Sequence, residues 1–261
     1  MCRHLAYLGP ARTISDVLTT GSHSLLEQSW APNDMRCDAV MNADGYGATW
    51  WSRSGTRSHR SQQPIWNDPA VSEVLTEVSS TAVVAAIRSA TIGMPITHTA
   101  NAPFSDGTWA FSHNGVVRDW PESLAALGES VPAVDWMRTP AATDSASLWV
   151  LLQHALRTRP PDVALRELTE EVLAAAPGSR LNLLLSDGTT VWATAVHHSL
   201  SVRVDDTSVW VASEPLGAAT PGNTTEGQWR SVPDGSFVTA TIGEPVVLSA
   251  VGEPAPVYTQ E

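Results

Sequence analysis

The chain opens Met1-Cys2-Arg3-His4-Leu5-Ala6-Tyr7-Leu8-Gly9-Pro10. Apolar and polar residues mix over 3–8 and the run halts at Gly9-Pro10, the punctuation of a strand end, so a buried strand is expected to begin at the terminus. Removal of Met1, which the small side chain of Cys2 permits, would put a thiol and a free α-amine on one residue. An α-amine has a reference pKa of about 7.7–8.0, so near neutral pH a useful fraction is unprotonated and can take the thiol proton, directly or through one water. Nucleophile and base would then form a single unit.

Further strands are expected over 46–53, 81–88, 108–112, 180–186, 190–196, 201–204, 208–212, 236–241 and 246–249. Turn signals such as Asp187-Gly188 and Asp205-Asp206 favour antiparallel hairpins. Helical periodicity appears over 69–79, 144–157 and 162–176, the last carrying Val163, Leu165, Leu168, Val172 and Leu173 before a Pro177-Gly178 stop. Strand-rich runs with helices gathered apart predict an α+β layering rather than a doubly wound parallel sheet. A single domain over 2–251 with a tail over 252–261 is expected, and the Gly-, Pro- and Thr-rich stretch 217–227 reads as a loop.

With 261 residues, 43% of them hydrophobic, the chain can build a large core. Against 27 acidic residues stand 15 basic ones, a net charge of -12 that repels phosphate backbones and anionic lipid, so neither nucleic acid nor membrane is the expected partner. All the basic residues are arginine. Without lysine, Schiff-base chemistry, pyridoxal phosphate attachment and a phosphate-binding P-loop are excluded. Two cysteines, Cys2 and Cys37, are too few for a disulfide framework; with neither an N-terminal leader nor a long apolar run, a reduced, cytoplasmic protein is expected. His197-His198, and His4 with His113, lack metal-ligand spacing, so no metal is expected.

Five segments line up with the terminal cysteine. Asn42-Ala43-Asp44-Gly45-Tyr46-Gly47 is a turn before a strand, where glycines let backbone approach a ligand. Arg88-Ser89-Ala90-Thr91 ends an apolar strand with a guanidinium able to hold a carboxylate bidentately. In Phe111-Ser112-His113-Asn114-Gly115, the Asn114 amide and the next N–H can both point at one oxyanion, although Asn-Gly also reads as a hairpin turn. Thr143-Asp144-Ser145 reads equally as a helix N-cap. Ala212-Ser213-Glu214-Pro215-Leu216 is a strand end and turn with no derivable role.

This ordered set, spanning roughly 2–216, resembles the class II glutamine amidotransferases, which belong to the N-terminal nucleophile hydrolases. The resemblance implies a four-layer α/β/β/α sandwich of two antiparallel sheets. It implies Cys2 as nucleophile with its own amine as base, and an oxyanion hole from Asn114 and the Gly115 N–H. Arg88 would bind the α-carboxylate of a glutamyl group and Asp144 its α-ammonium, with Thr91 close by; His113, adjacent to the oxyanion residues, is a further substrate-binding candidate that also reads as pointing to the other face of its strand. No cofactor is implied. The chain departs from the family where many relatives read Asn-x-His-Pro-Phe; here Asn101-Ala102-Pro103-Phe104 stands, with His98 nearby.

The stretches 1–9, 24–32, 178–185 and 212–216 are similar to the branch of amidohydrolases that serves ergothioneine biosynthesis in actinobacteria. That branch implies cleavage of γ-glutamyl-hercynylcysteine S-oxide to glutamate and hercynylcysteine S-oxide. Three other readings stay open at this point: hydrolysis of a different γ-glutamyl amide such as a glutathione-like peptide, a glutaminase subunit delivering ammonia to a synthase, and a non-enzymatic sensor. A separate synthase partner is not expected, since no second catalytic region follows; a homo-oligomer is left open. For a leaving group bearing a trimethylammonium, the 11 tryptophans supply candidate walls. Trp30 is the first choice, with Trp50, Trp51, Asp34 and Asp38 as further ones.

Overall fold

The structure, a computed structural model, describes residues 2–34, 36, 41–217 and 228–252. Cys37, Asp38, nearly all of the 217–227 stretch and the tail beyond Gly252 lie outside the described residues. In chain order the strands are β1 (Arg3–Thr13), β2 (Tyr46–Ser52), β3 (Gly55–Ser61), β4 (Ser79–Ile87), β5 (Phe104–Ser105), β6 (Ala110–Val116) and β7 (Arg180–Ser186). Then follow β8 (Thr190–Ala195), β9 (Ser201–Val204), β10 (Val209–Ala212), β11 (Arg230–Ser231), β12 (Ser236–Thr241) and β13 (Val247–Ala250). They form a seven-stranded sheet in the order β11-β9-β10-β1-β4-β2-β3 and a six-stranded sheet in the order β13-β12-β8-β7-β6-β5. The pairings are antiparallel.

The two-residue period of β1 assigns the layers. Ala6 and Leu8 point between the sheets, where they meet Ala82, Val84, Leu184, Ala193 and Val211. Leu5 and Tyr7 point the other way, onto Ile14, Val17 and Leu18 of α1 (Ile14–Thr19), the outer layer to which α2 (Ala70–Glu73) also belongs. Beyond β6 come two short helices, α3 (Ala125–Gly128) and α4 (Ala133–Trp136), then the long α5 (Asp144–Ala155) and α6 (Pro161–Ala175). These last two cover the outer face of the six-stranded sheet, packing Leu148, Leu152, Leu165 and Leu168 against Phe111, Leu183 and Leu185. A strand covered on both faces reads as a continuous apolar run, which is why 180–186 was recognisable. The result is the expected α+β sandwich, helices, sheet, sheet, helices.

Short elements such as α1, α3, α4, β5 and β11 are not among those expected, and four further departures have a physical reason. Strand β1 runs through Gly9-Pro10 to Thr13. Pro10 is tolerated because pairing with β4 shifts register between Leu8 and Arg12, so the missing N–H falls in an irregularity. Tyr7 Oη donates to the Pro10 carbonyl at 2.5 Å, and a side chain on Gly9 would strike that phenol at 2.6 Å. The helix expected over 69–79 contracts to α2, since the Leu75 and Val78 carbonyls accept instead from the N–H groups of Ser15 and Ile14 at the start of α1. Strand β6 is displaced to Ala110–Val116, and β3, made of polar residues, carries no sequence period to find.

Candidate active site

Cys2 stands immediately before β1, the middle strand of its sheet, with β10 on one side and β4 on the other. The inward parity of Ala6 and Leu8 continues to His4, whose Nδ1 lies 3.2 Å from Ser112 Oγ of β6 in the facing sheet. Cys2 itself is half-buried, its Sγ 4.0 Å from the Ser89 carbonyl oxygen. At this end the inter-sheet layer turns from apolar to polar.

Ser213, just past β10, knits that polar end together. Its hydroxyl oxygen accepts from the His4 N–H at 3.0 Å and from Asn114 Nδ2 at 3.1 Å, and its own N–H donates to the His4 carbonyl at 2.9 Å. The strand bearing Cys2 is thereby tied to the Asn114 amide. Asn114 is wholly buried, and its Oδ1 has no hydrogen-bond partner among the described residues. Asn114-Gly115 forms no turn: both lie within β6, opposite Asn182 and Leu181 of β7. A Cβ on Gly115 would lie 1.8 Å from the Arg180 carbonyl oxygen, so only glycine permits the pairing.

On the β4 side the first two sequence segments meet. Asp44 N–H donates to the Arg88 carbonyl at 3.0 Å, Arg88 N–H to the Gly45 carbonyl at 2.9 Å, and Ala90 N–H to Asp44 Oδ2 at 2.7 Å. Gly45 has φ +114°, and a side chain there would run into Asn101 Nδ2. The Arg88 guanidinium is buried and donates to the Pro95 carbonyl at 2.8 Å, closing the loop that carries Thr91, which is exposed. Asp144, first residue of α5, accepts at Oδ2 from the Val117 N–H at 2.9 Å, so the helix start is anchored to the chain just beyond Asn114-Gly115. Thr143 caps the same helix by accepting from the Ala146 N–H. Structural cap and candidate ligand group are thus neighbours.

His113 is on the opposite face of β6 from Asn114. Its Nδ1 meets Ser145 Oγ at 3.0 Å and its Nε2 meets the Arg180 carbonyl at 2.9 Å, both away from the inter-sheet layer. His98 is exposed in a short turn. Trp30 is half-buried and stacks edge-on against Trp66 at 5.9 Å. Trp50 packs into the outer core, while Trp51 donates to the Thr108 carbonyl at 2.9 Å and covers Gly188, past the end of β7 remote from Asn182.

Sequence reasoning missed the ion pair that follows Cys2 on β1. Arg3, on the outward face of β1, lies 2.7 Å from Glu214 Oε1, and both side chains are buried. Glu214 also meets His23 Nε2 at 2.6 Å and accepts from the N–H groups of Asn33 and Asp34 at 2.8 and 3.1 Å. Burial pushes the Glu214 pKa up, but the His23 hydrogen bond, the Arg3 charge and the two N–H groups outweigh it and hold it at about 2. The available signal was a pair of opposite charges at the ends of otherwise apolar strands. Burial, with the charges of His113 and Arg3, lowers His4 to about 3; burial and Arg180 lower His198 to about 3. Both imidazoles are therefore neutral near pH 7. Among the described residues, no three His, Cys, Asp or Glu side chains cluster as a metal would require, and no helix is long and apolar enough to cross a membrane.

The profile of the family described as Glutamine amidotransferases class-II matches residues 24–204. A Mycolicibacterium smegmatis protein named gamma-glutamyl-hercynylcysteine sulfoxide hydrolase is 38% identical, over 91% of this chain and 95% of its own. A Mycobacterium tuberculosis protein of the same name is 34% identical, over 92% and 93%. Among solved structures, a glutamine aminotransferase class-II domain protein from Silicibacter pomeroyi matches with a TM-score of 0.66 at 22% identity, covering 97% of this chain and 100% of that one. The glutamine phosphoribosylpyrophosphate amidotransferase from B. subtilis matches at 0.64 and 15%, covering 97% and 50%. At those identities the structures speak for the fold, which is that of the N-terminal nucleophile hydrolases. The profile and the two hydrolases speak for more: this chain belongs to the class II glutamine amidotransferase family.

Proposed function

We propose that this protein hydrolyses the γ-glutamyl amide bond of γ-glutamyl-hercynylcysteine S-oxide, releasing glutamate and hercynylcysteine S-oxide, through a thioester on Cys2. The observation that carries the chemistry is the convergence at one sheet end of the Cys2 thiol, the Arg88 strand end and the Ser213-tethered Asn114 amide. The choice of substrate rests on the names of the two relatives.

With Met1 removed, the Cys2 α-amine takes the thiol proton and the thiolate attacks the γ-carbonyl carbon. The Asn114 amide and the Gly115 N–H stabilise the oxyanion of the tetrahedral intermediate. That intermediate collapses, the C–N bond breaks, and the proton held on the α-ammonium passes to the departing amine. Water then adds to the thioester with the α-amine as base, the C–S bond breaks, and glutamate leaves. Arg88 pairs with the substrate α-carboxylate and Asp144 with its α-ammonium, with Thr91 at the mouth. His113 supports this arrangement from behind β6, through Ser145 beside Asp144. Trp30 belongs to the outer wall.

Processed enzyme incubated in parallel with γ-glutamyl-hercynylcysteine S-oxide, glutamine and glutathione, each with a Cys2→Ala control, tests the reading. Cys2-dependent glutamate release that strongly prefers the sulfoxide is expected. Preference for glutamine or glutathione moves the protein to another reaction of the same chemistry, and no release from any of them overturns the enzyme reading.

A further inference from the structure

A cavity of about 230 Å³ opens at the side of the sandwich where β3 and β5, edge strands of the two sheets, come together beside α4 and α5. Three of the 15 arginines of a chain with net charge -12 converge on its walls: Arg60 from β3, Arg138 just past α4 and Arg157 just past α5. They face one carboxylate, Asp135. We infer that this cavity is an anion site, built for a small phosphate-type dianion, free or as a monoester, and separate from the hydrolytic centre.

Strand register puts Arg60 there. Directly paired residues of neighbouring strands share a face, and the row His4, Ala86, Gly47, Arg60 runs across β1, β4, β2 and β3. Arg60 therefore points between the sheets as His4 does, but three strands away, roughly 14 Å at ~4.8 Å per strand. Its stem lies over Gly47, where a Cβ would come 2.9 Å from Arg60 Cγ, so glycine makes the room. Two residues back on the same face, Ser58 Oγ meets Ser105 Oγ of β5 at 3.3 Å, and the Thr56 N–H donates to the Gly107 carbonyl at 3.0 Å. The two sheet edges are thus held together beside the cavity. From α5 come Trp149 and Gln153, roughly 7–14 Å along the helix axis from Asp144. None of Cys2, Arg88, Asn114 and Asp144 lines the cavity.

Charge sets the ligand class. Arg157 is paired with Asp135 at 2.8 Å, which neutralises one cation and the one acid. Arg60 and Arg138 have no carboxylate within ion-pair distance among the described residues. Arg60 is partly buried, and burial pulls its pKa below the ordinary value with no opposing charge to restore it. A cation withdrawn from water without a partner is costly, and a bound anion supplies the missing charge. Two unpaired guanidinium forks match a dianion, each presenting paired N–H groups to its oxygens. Gln153, held by Asp106 at 3.2 Å, adds an amide to the wall. Trp149, stacked on Phe111 at 5.7 Å, gives a rigid apolar side, and the volume is many times the ~30 Å³ share of one water.

The test is thermal unfolding and calorimetric titration of the full chain with sodium phosphate, against sodium chloride at equal ionic strength; neither readout depends on the hydrolytic reaction. At ten times its dissociation constant, phosphate is expected to raise Tm by about 3 °C. Arg60→Gln and Arg138→Gln are each expected to weaken phosphate binding about tenfold or more. Arg60→Gln should also leave Tm in chloride unchanged or higher, because it removes an uncompensated cation, whereas a merely structural arginine would lower it. Arg138 is exposed, so Arg138→Gln decides the matter should Arg60→Gln fail to fold. Phenyl phosphate separates the two forms of the ligand: tighter binding than phosphate assigns the Trp149 side to the organic part of a monoester, and equal or weaker binding assigns the free ion. No phosphate-dependent gain in wild type, or a gain that survives in both variants, overturns the site.

Discussion

The layer between the two sheets has two ends built on the same strands and facing the same way. Through its middle, Ala6, Leu8, Val84, Leu184 and Val211 pack together in one apolar cluster. At the rim, the same face of β1 and β6 presents Cys2, His4, Ser112 and Asn114, and Ser213 fills the gap. Backbone geometry does not distinguish the two ends; side-chain chemistry does. Apolar groups need only be removed from water, whereas each buried polar group must find a partner, so the rim is a hydrogen-bonded network and the middle is not.

The comparison can be broken most sharply at Cys2. Cys2→Ala is expected to lower kcat by at least ~10⁴-fold while changing unfolding free energy by no more than about 0.5 kcal/mol, since the side chain is only half-buried. A large loss of stability would make Cys2 part of the scaffold. Asn114→Ala should lower kcat about 10²- to 10³-fold with a smaller change in KM, in steady-state kinetics. In the apolar middle the pattern reverses: Leu184→Ala should cost about 2–5 kcal/mol in denaturant unfolding and leave kcat per folded molecule near wild type.

Acid sharpens the contrast further. His4 has its folded pKa lowered from 6.5 to about 3, so between those values the unfolded chain binds a proton that the native rim refuses, and stability falls as pH falls. Glu214, lowered from 4.5 to about 2, adds a loss of the same sign below pH 4.5. Because His198 shares the first window, His4→Gln should roughly halve the slope of unfolding free energy against pH between 6.5 and 4.5. An unchanged slope would show that His4 is solvated in the native state. The smallest effect is expected at Trp30: Trp30→Ala should raise KM for the sulfoxide by less than about tenfold while sparing glutamine. An equal loss on both substrates would remove Trp30 from the leaving-group wall.

Much of this was legible before any coordinates. The runs 180–186, 201–204 and 236–241 are read at the bounds the strands have: β7 is an apolar run buried on both faces, while β9 stops at Asp205-Asp206 and β12 is bracketed by Gly235 and Gly243. β3 was not, since an edge strand of Gly, Thr, Arg, Ser and His has no apolar face to reveal it. The helix over 69–79 was overread because its carbonyls were claimed by α1, a tertiary event that periodicity does not register. His-Asn-Gly was placed beyond the expected end of its strand, although it lies inside β6, because local turn chemistry was outweighed by pairing with β7.

By itself the sequence determined the alternation of β1, the layering of apolar faces, the absence of lysine chemistry and the ordered motifs that identify the family, all properties of residues and their neighbours along the chain. Only the tertiary structure decided that Ser213 binds the Asn114 amide across 99 residues, that Arg3 is neutralised by Glu214, and that Trp51 packs over Gly188 while Trp50 enters the outer core. Those contacts join residues far apart in the chain, and their energies depend on burial and distance, quantities that no local pattern contains.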